Sequence, residues 1–346
     1  MKSICIINNL GYLMKTNPLV SICCLSYQHS RYIEQNIKAI WGQDYKNVEI
    51  LALDDGSKDN SAQILNELEI KSPFKMTALS QSNSGNVGKN FNVMLRRAQG
   101  KYILFMSCDD VLTKNAIKEK VDILEEDGNI SFVVSKKYLV IDGKGRVNAR
   151  RSRGLQKSVS SNLQDNINID QLIDLEYKKF GSFFIQGALF RKSVVDAVGG
   201  FDEDMVGDDI VLRTKIFNYV KEHELSFKIL NTCGFLYRNA DGNLHKNAYR
   251  QIKTVAQVLE RFFPDKENPP VLADWMRGGF DSMPFEKAYT MFDINGRTSA
   301  EYKNVLQLML KRSNKIRIYR KRFKVVCLFA IFSLILNAIF IYLILK

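Results

Sequence analysis

Between residues 18 and about 112, short apolar runs alternate with segments of helical spacing, and this alternation leaves few folds open to the chain. Val20 to Ser26 (VSICCLS) is apolar almost throughout, as suits a strand buried on both faces. Ser30 is placed to cap a helix whose apolar positions Ile33, Ile37, Ile40 and Trp41 follow 3–4 spacing. Val48 to Leu53 reads as a second strand, and Ser61 or Asn60 opens a second helix bearing Ile64, Leu65 and Leu68. Met76 to Leu79 is a third, weaker strand. The next helix carries Phe91, Met94, Leu95 and Ala98 and is expected to stop at Gly100, before a fourth strand at Tyr102 to Met106. Strands joined by helices of this length need right-handed crossovers, which predicts an α/β fold with a mostly parallel sheet. Ligands of such sheets lie outside the carboxyl ends of the strands. The acidic clusters of this chain fall at those ends.

Beyond residue 112 the regularity loosens. Residues 142–165 are basic, then serine-rich, and read as a long surface loop. GALFRKSVVDAVGGFDED predicts a strand, a short helix and a double-glycine turn. From about 245 to 312 the pattern is helical, broken near Pro264, Pro269 and Pro270. A hydrophobic fraction of 46% in 346 residues is enough for a substantial core, and 25% charged residues argue against disorder. The six cysteines show no C-x-x-C spacing and several lie in apolar runs, so they read as buried thiols of a reducing compartment. Histidines 29, 223 and 245 have no zinc-site spacing.

A net charge of +13 raises the question of nucleic acid, and its placement argues against that partner. Residues 311–324 (KRSNKIRIYRKRFK) carry eight Lys or Arg and no acid. Residues 325–345 follow without charge or proline. Twenty-one residues at about 1.5 Å each reach roughly 31 Å, enough for a transmembrane helix. The basic collar is expected to stay on the cytoplasmic side and attract anionic membrane lipids. That puts the body of the chain, all before this single C-terminal span, in the cytoplasm. Residues 1–17 read as a leader without an export signal, since Asn8-Asn9 and Gly11 interrupt its apolar stretch; Met14 is a possible start. The expected division is a leader (1–17), a catalytic domain (18–240), a helical extension (241–310), the collar (311–324) and the span (325–345).

Four clusters carry chemistry. Asp54-Asp55-Gly56-Ser57 is either a serine-capped turn or a place where a carboxylate accepts the N3–H of a pyrimidine, with Tyr27 packed on the ring. A carboxylate cannot accept from an unprotonated nitrogen, so uracil or thymine suits it better than cytosine. Asn83 to Asn90 (NSGNVGKN) puts Lys89 in a first helical turn, able to reach a base or diphosphate. Its spacing is neither a P-loop nor G-x-G-x-x-G, which removes support for ATP hydrolysis and hydride transfer. Asp109 and Asp110 end a hydrophobic strand, where adjacent acids repel unless a cation or ligand offsets them. A hard divalent ion, Mg²⁺ or Mn²⁺, suits oxygen ligands there and would bridge Asp109 to two phosphates. Asp208-Asp209 precedes Ile210, Val211, Leu212 and Ile216. It either stabilises a helix N-terminus, worth about 0.3–1 kcal/mol, or supplies a proton acceptor.

The stretch PLVSICCLSYQHSRYIEQNIKAIWGQDYKNVEILALDDGSKDNSAQIL resembles the opening of family 2 glycosyltransferases of the GT-A fold. The resemblance continues through NSGNVGKNFN, AQGKYILFMSCDD, GALFRKSVVDAVGGFDED and GDDIVLR, five motifs in order over residues 18–240. It implies an inverting transfer from a nucleoside-diphosphate sugar to a hydroxyl of a glycan or lipid-linked acceptor. By the same resemblance Tyr27 and Asp55 bind the base, Lys89 stands where the family commonly has Arg, and Asp110 lies on the donor side. Asp109 matches the metal-binding end of Asp-x-Asp, and Asp209 the catalytic base, with Asp208 supporting it in place of Glu. Gln28 replaces the usual Asn, and Ser107 replaces the first Asp of Asp-x-Asp, which removes a metal carboxylate. Tyr237-Arg238-Asn239-Ala240 lacks the His often found there. Two alternatives share such a sheet: a sugar nucleotidyltransferase, which would show a Gly-rich, Arg-containing loop where this chain has Ser26 to Ser30, and an inactive membrane-bound scaffold.

Overall fold

The computed structural model describes residues 17–158, 163–164, 166–239, 247–283, 288 and 290–312, with 314, 317, 318, 321 and 324. The chain divides into two compact units, residues 1–244 and 245–346.

The first unit is built on one eight-stranded sheet. Strands β1 (Val20–Ser26), β2 (Val48–Asp54), β3 (Lys75–Ser80) and β4 (Tyr102–Ser107) pair in parallel in the order β3-β2-β1-β4. Helices α1 (Ile33–Trp41), α2 (Ser61–Lys71) and α3 (Val87–Leu95) make the crossovers. β1 and β2 are buried at every position, which is why their sequences run apolar rather than alternating. One face of these strands (Ile22, Cys24, Ile50, Leu104) packs with Ile33, Ile37 and Ile40 of α1 and Leu65 of α2. The opposite face (Cys23, Leu51, Ile103, Phe105) packs with Phe91 and Met94 of α3. The register sets Leu25 beside Leu53 on one side and Ser107 on the other, so β2, β1 and β4 end side by side.

The rest of the sheet is formed by β5 (Val111–Leu112), β6 (Ile130–Ile141), β7 (Ala188–Arg191) and β8 (Ser226–Arg238). Helices α4 (Lys118–Glu126), α5 (Ala149–Ser158), α6 (Ile169–Lys179), α7 (Lys192–Ala197) and α8 (Asp209–Glu222) lie between them in sequence. β7 runs antiparallel to both β4 and β6, β6 and β8 are parallel, and β5 closes the edge antiparallel to β8. The sheet is therefore parallel in the half that the periodicity made readable and mixed in the other half.

Three expectations need correction. Residues 142–165 are not all loop, because α5 lies inside them. Its Ser152 is buried and accepts the Val140 N–H at 2.9 Å, while Leu155 packs on the core. With so few inward side chains among arginines, the stretch has too little apolar signal to read as a helix. The helix expected to run to Gly100 ends at Leu95. A Cβ on Gly100 would come within 2.6 Å of the Ser21 nitrogen, so this glycine serves the close approach of β4 to β1. Ser30 does not cap α1, since Tyr32 precedes the helix and the Ser30 N–H donates to Asp59 Oδ2 at 3.1 Å.

The second unit contains α9 (Ala248–Phe262) and α10 (Pro270–Ser282), which pack on one another, and residues 296–312 are helical. Asn247 caps α9 by accepting the Arg250 N–H, and Pro270 opens α10 at its first turn. Among the described residues no helix is long and apolar enough to cross a membrane. The expected span 325–345, residues 1–16, Ala240 and His245 lie outside the described residues, as does part of the collar 311–324.

Candidate active site

The two acids that end β2 do different work. Asp54 takes the Ser57 N–H at 2.9 Å and the Ser57 hydroxyl at 2.5 Å, a self-capped turn. Asp55, also buried, accepts from Gln81 Nε2 and the Ser84 N–H, both at 2.8 Å, and from Ser84 Oγ at 3.2 Å. Gln81 and Ser84 each reach Asn90 Oδ1 of α3, at 2.7 and 2.8 Å. Asp55 is thereby locked to the loop that precedes α3. Gly56 turns with φ +70°, and a Cβ there would meet the Asn83 nitrogen at 2.5 Å. Tyr27 stands beside this turn at the end of β1 with 44% of its surface exposed, a free aromatic face. Lys89 is exposed on the first turn of α3, and its charge helps lower the Glu203 carboxyl, after the Asn92 and Arg96 hydrogen bonds to that group.

The acids after β4 also separate. The Cys108 N–H donates to the Leu25 carbonyl at 2.8 Å, which continues the β1–β4 ladder to the threshold of Asp109. Asp110 turns inward, where its Oδ1 accepts the Arg238 N–H at 2.9 Å. Burial, then the neighbouring Asp109, push the Asp110 carboxyl well above the usual range. Arg238 opposes the rise, and Asp209 lies near enough to add to it. The Asp109 side chain is 13% exposed, and its Oδ2 stands 4.0 Å from His29 Nε2.

Arg238, wholly buried, organises this loop. It donates to the carbonyls of Asp109 and Asp142, each at 2.7 Å, and to Gln35 Oε1 at 2.6 Å, with its guanidinium 4.5 Å over the Tyr32 ring. From the other side Asn36 Nδ2 holds the carbonyls of Ser107 and Asp110 at 3.2 and 2.9 Å. Neither residue was singled out in the sequence for this role. Their partners lie 71 to 203 positions away, and no local spacing signals such pairs.

Asp209 is the first residue of α8, with Asp208 as its cap residue. Its Oδ2 lies 3.5 Å from the Ile185 nitrogen and 3.6 Å from Arg213 Nη1. The Asp209 side chain is 24% exposed, and its partial burial first, then Asp208, push its carboxyl up to about 7, against the pull of Arg213 and the Ile185 N–H. Ile185 begins a short turn, Ile185–Gly187, that packs on β4 and leads into β7. Asp55 follows the end of β2 and Asp109 the end of β4, on either side of β1, and Asp209 lies near enough to Asp110 to act on its carboxyl.

Among the described residues there is no group of three or more His, Cys, Asp or Glu suited to a metal ion. Mg²⁺ and Mn²⁺ bound to nucleotides often need only one or two protein carboxylates beside the phosphates. Asp109, partly exposed at the strand ends, fits that minimal set.

An α/β sheet with acids at the carboxyl ends of its strands has the form of a nucleotide-binding enzyme. The family model described as "Glycosyl transferase family 2" matches residues 21–199, and the chain belongs to this family. Poly-beta-1,6-N-acetyl-D-glucosamine synthase of Staphylococcus epidermidis is 23% identical over 246 residues, 70% of this chain and 56% of the relative. An uncharacterized glycosyltransferase of Haemophilus influenzae is 30% identical over 33% of this chain and 48% of its own length. The chain thus spans about half the length of these curated relatives. Among solved structures, residues 1–349 of Staphylococcus aureus TarS in complex with UDP-GlcNAc superpose with a TM-score of 0.52 at 18% identity, covering 83% of this chain and 79% of that one. The mannosyltransferase PcManGT of Pyrobaculum calidifontis, in complex with GDP-Man and Mn²⁺, gives 0.53 at 15% identity, covering 88% and 81%. At these identities the structures establish the shared fold.

Proposed function

We propose that this glycosyltransferase moves a sugar from a nucleoside diphosphate, UDP in particular, to a hydroxyl of a glycan or lipid-linked acceptor, with inversion at the anomeric carbon. The observation that carries the reading is Asp209 itself, a carboxyl raised to about 7 and near enough to Asp110, the neighbour of Asp109, to act on it. Once ionised, it can accept the acceptor's proton as the new bond forms, without having to deprotonate a free alcohol. Asp55 accepts the N3–H of uracil, Tyr27 packs on the base, Lys89 approaches the diphosphate, and Asp110 holds the loop that presents Asp109. A divalent cation on Asp109, Mg²⁺ or Mn²⁺, would supply charge neutralisation at the diphosphate.

Similarity to a poly-N-acetylglucosamine synthase and to a structure holding UDP-GlcNAc supports a UDP-N-acetylhexosamine donor and a role in polysaccharide or glycolipid synthesis. The apolar segment 325–345 and the basic collar before it support a single-pass tether, with residues 18–240 on the cytoplasmic side of a membrane. Calorimetry with UDP, with and without Mn²⁺, tests the reading. Metal-enhanced UDP binding and UDP release from a member of a nucleotide-sugar panel are the expected results. Absence of any nucleotide binding would leave an inactive scaffold.

A further inference from the structure

We infer that Arg213 and Glu176 are positioning residues for Asp209, a buried brace that aims its carboxylate and keeps it able to ionise. The inference rests on the reading of Asp209 as the proton acceptor. Glu176 of α6 is wholly buried. Its Oε1 accepts Arg213 Nε at 2.8 Å and its Oε2 accepts Nη2 at 3.2 Å, a two-point clamp on the guanidinium. The Ser182 N–H at 3.2 Å and the Ser182 hydroxyl hold Glu176 Oε1 in turn. Phe183 lies under the guanidinium, its ring centre 5.5 Å from Cζ. With two nitrogens committed to Glu176, the third, Nη1, stands 3.6 Å from Asp209 Oδ2. A lysine ammonium cannot serve both carboxylates from one fixed plane.

The charges around Asp209 explain why such a brace is needed. Asp208 and Arg213 face it from its own helix, Glu176 from α6, and Asp110 from the loop after β4. The Ile185 N–H from the turn before β7 is the other polar group on it. Among the described residues, three acids and one cation act on a carboxylate that must lose its proton to work. A pair that served only to pack α6 on α8 would be complete with Glu176 and Arg213. It would not need a nitrogen on Asp209, and buried ion pairs seldom outperform apolar packing as stabilisers.

The test uses the full chain and an Asp209 titration followed by carboxyl NMR of ¹³C-labelled aspartate, assigned with Asp209→Asn. The double variant Glu176→Gln/Arg213→Met removes both buried charges together, so neither is left uncompensated. Because Arg213 acts on Asp209 more strongly than Glu176 does, the titration midpoint is expected to rise by about one unit, equal to a tenfold shift in the ionisation constant. A midpoint at the wild-type value overturns the brace. Arg213→Lys keeps the charge but loses the fork. Its kcat for UDP release from UDP-GlcNAc in the presence of acceptor is expected to fall about tenfold with UDP affinity unchanged. A wild-type kcat overturns the aiming role, and this variant alone decides if the double variant does not fold. Undiminished transfer by Asp209→Asn removes the base reading itself. Loss of transfer in Asp209→Asn with an unmoved midpoint in the double variant removes only the brace.

Discussion

Asp209 shows how one residue's chemistry depends on neighbours that are distant in sequence. An exposed aspartate is ionised above about pH 4 and is a weak base. Burial and Asp208 push this one up to about 7, so its basic form is the anion present above that pH. Transfer is expected to rise about tenfold per pH unit below 7 and to level off above it, as kcat/KM measured against pH would show. Asp209→Asn should lose this limb together with transfer and should keep UDP binding within about twofold by calorimetry. Because the folded carboxyl lies above its unfolded value, its contribution to stability is fully present only below about pH 4 and is lost as pH rises from there through about 7. The sequence marked Asp209, Asp109, Asp55 and Tyr27 through their motifs. Arg238, Asn36, Glu176 and Arg213 were not assigned roles, because a buried arginine or glutamate is defined by its partners and those lie on other elements.

At the scale of elements, the site depends on two loops pressed together after β2 and β3. Gly56 permits this by adopting φ +70° where a side chain would strike the Asn83 backbone. Gly56→Ala is expected to cost on the order of 1–3 kcal/mol in urea unfolding and to weaken UDP binding about tenfold. It would do so by shifting Ser84 off Asp55, and a variant that unfolds more easily with unchanged UDP affinity would separate the turn from the binding site. The first four strands and three helices were legible because burial on both faces leaves continuous apolar runs and helical spacing. α5 was not, since its inward face is little more than Ser152 and Leu155. The antiparallel insertion of β7 was also hidden, as a four-residue strand with three apolar positions reads the same in either direction.

For the whole molecule, the first unit carries its own core on both faces of its sheet. A fragment of residues 17–244 is therefore expected to unfold in one cooperative transition and to bind UDP as the full chain does, by calorimetry. With vesicles containing anionic lipid, the full chain is expected to sediment and the fragment to stay in the supernatant. Equal partition of the two would remove the proposed tether. Sequence alone determined the α/β class, the order of the first elements and the identity of the acids at the strand ends, because periodicity and apolar runs are local properties of the chain. The tertiary structure decided that Asp110 rather than Asp109 turns inward, which groups restrain the acids and how far the Asp209 ionisation is displaced. Those outcomes depend on burial and on charges from separate elements, and such distances exist only once the sheet has formed.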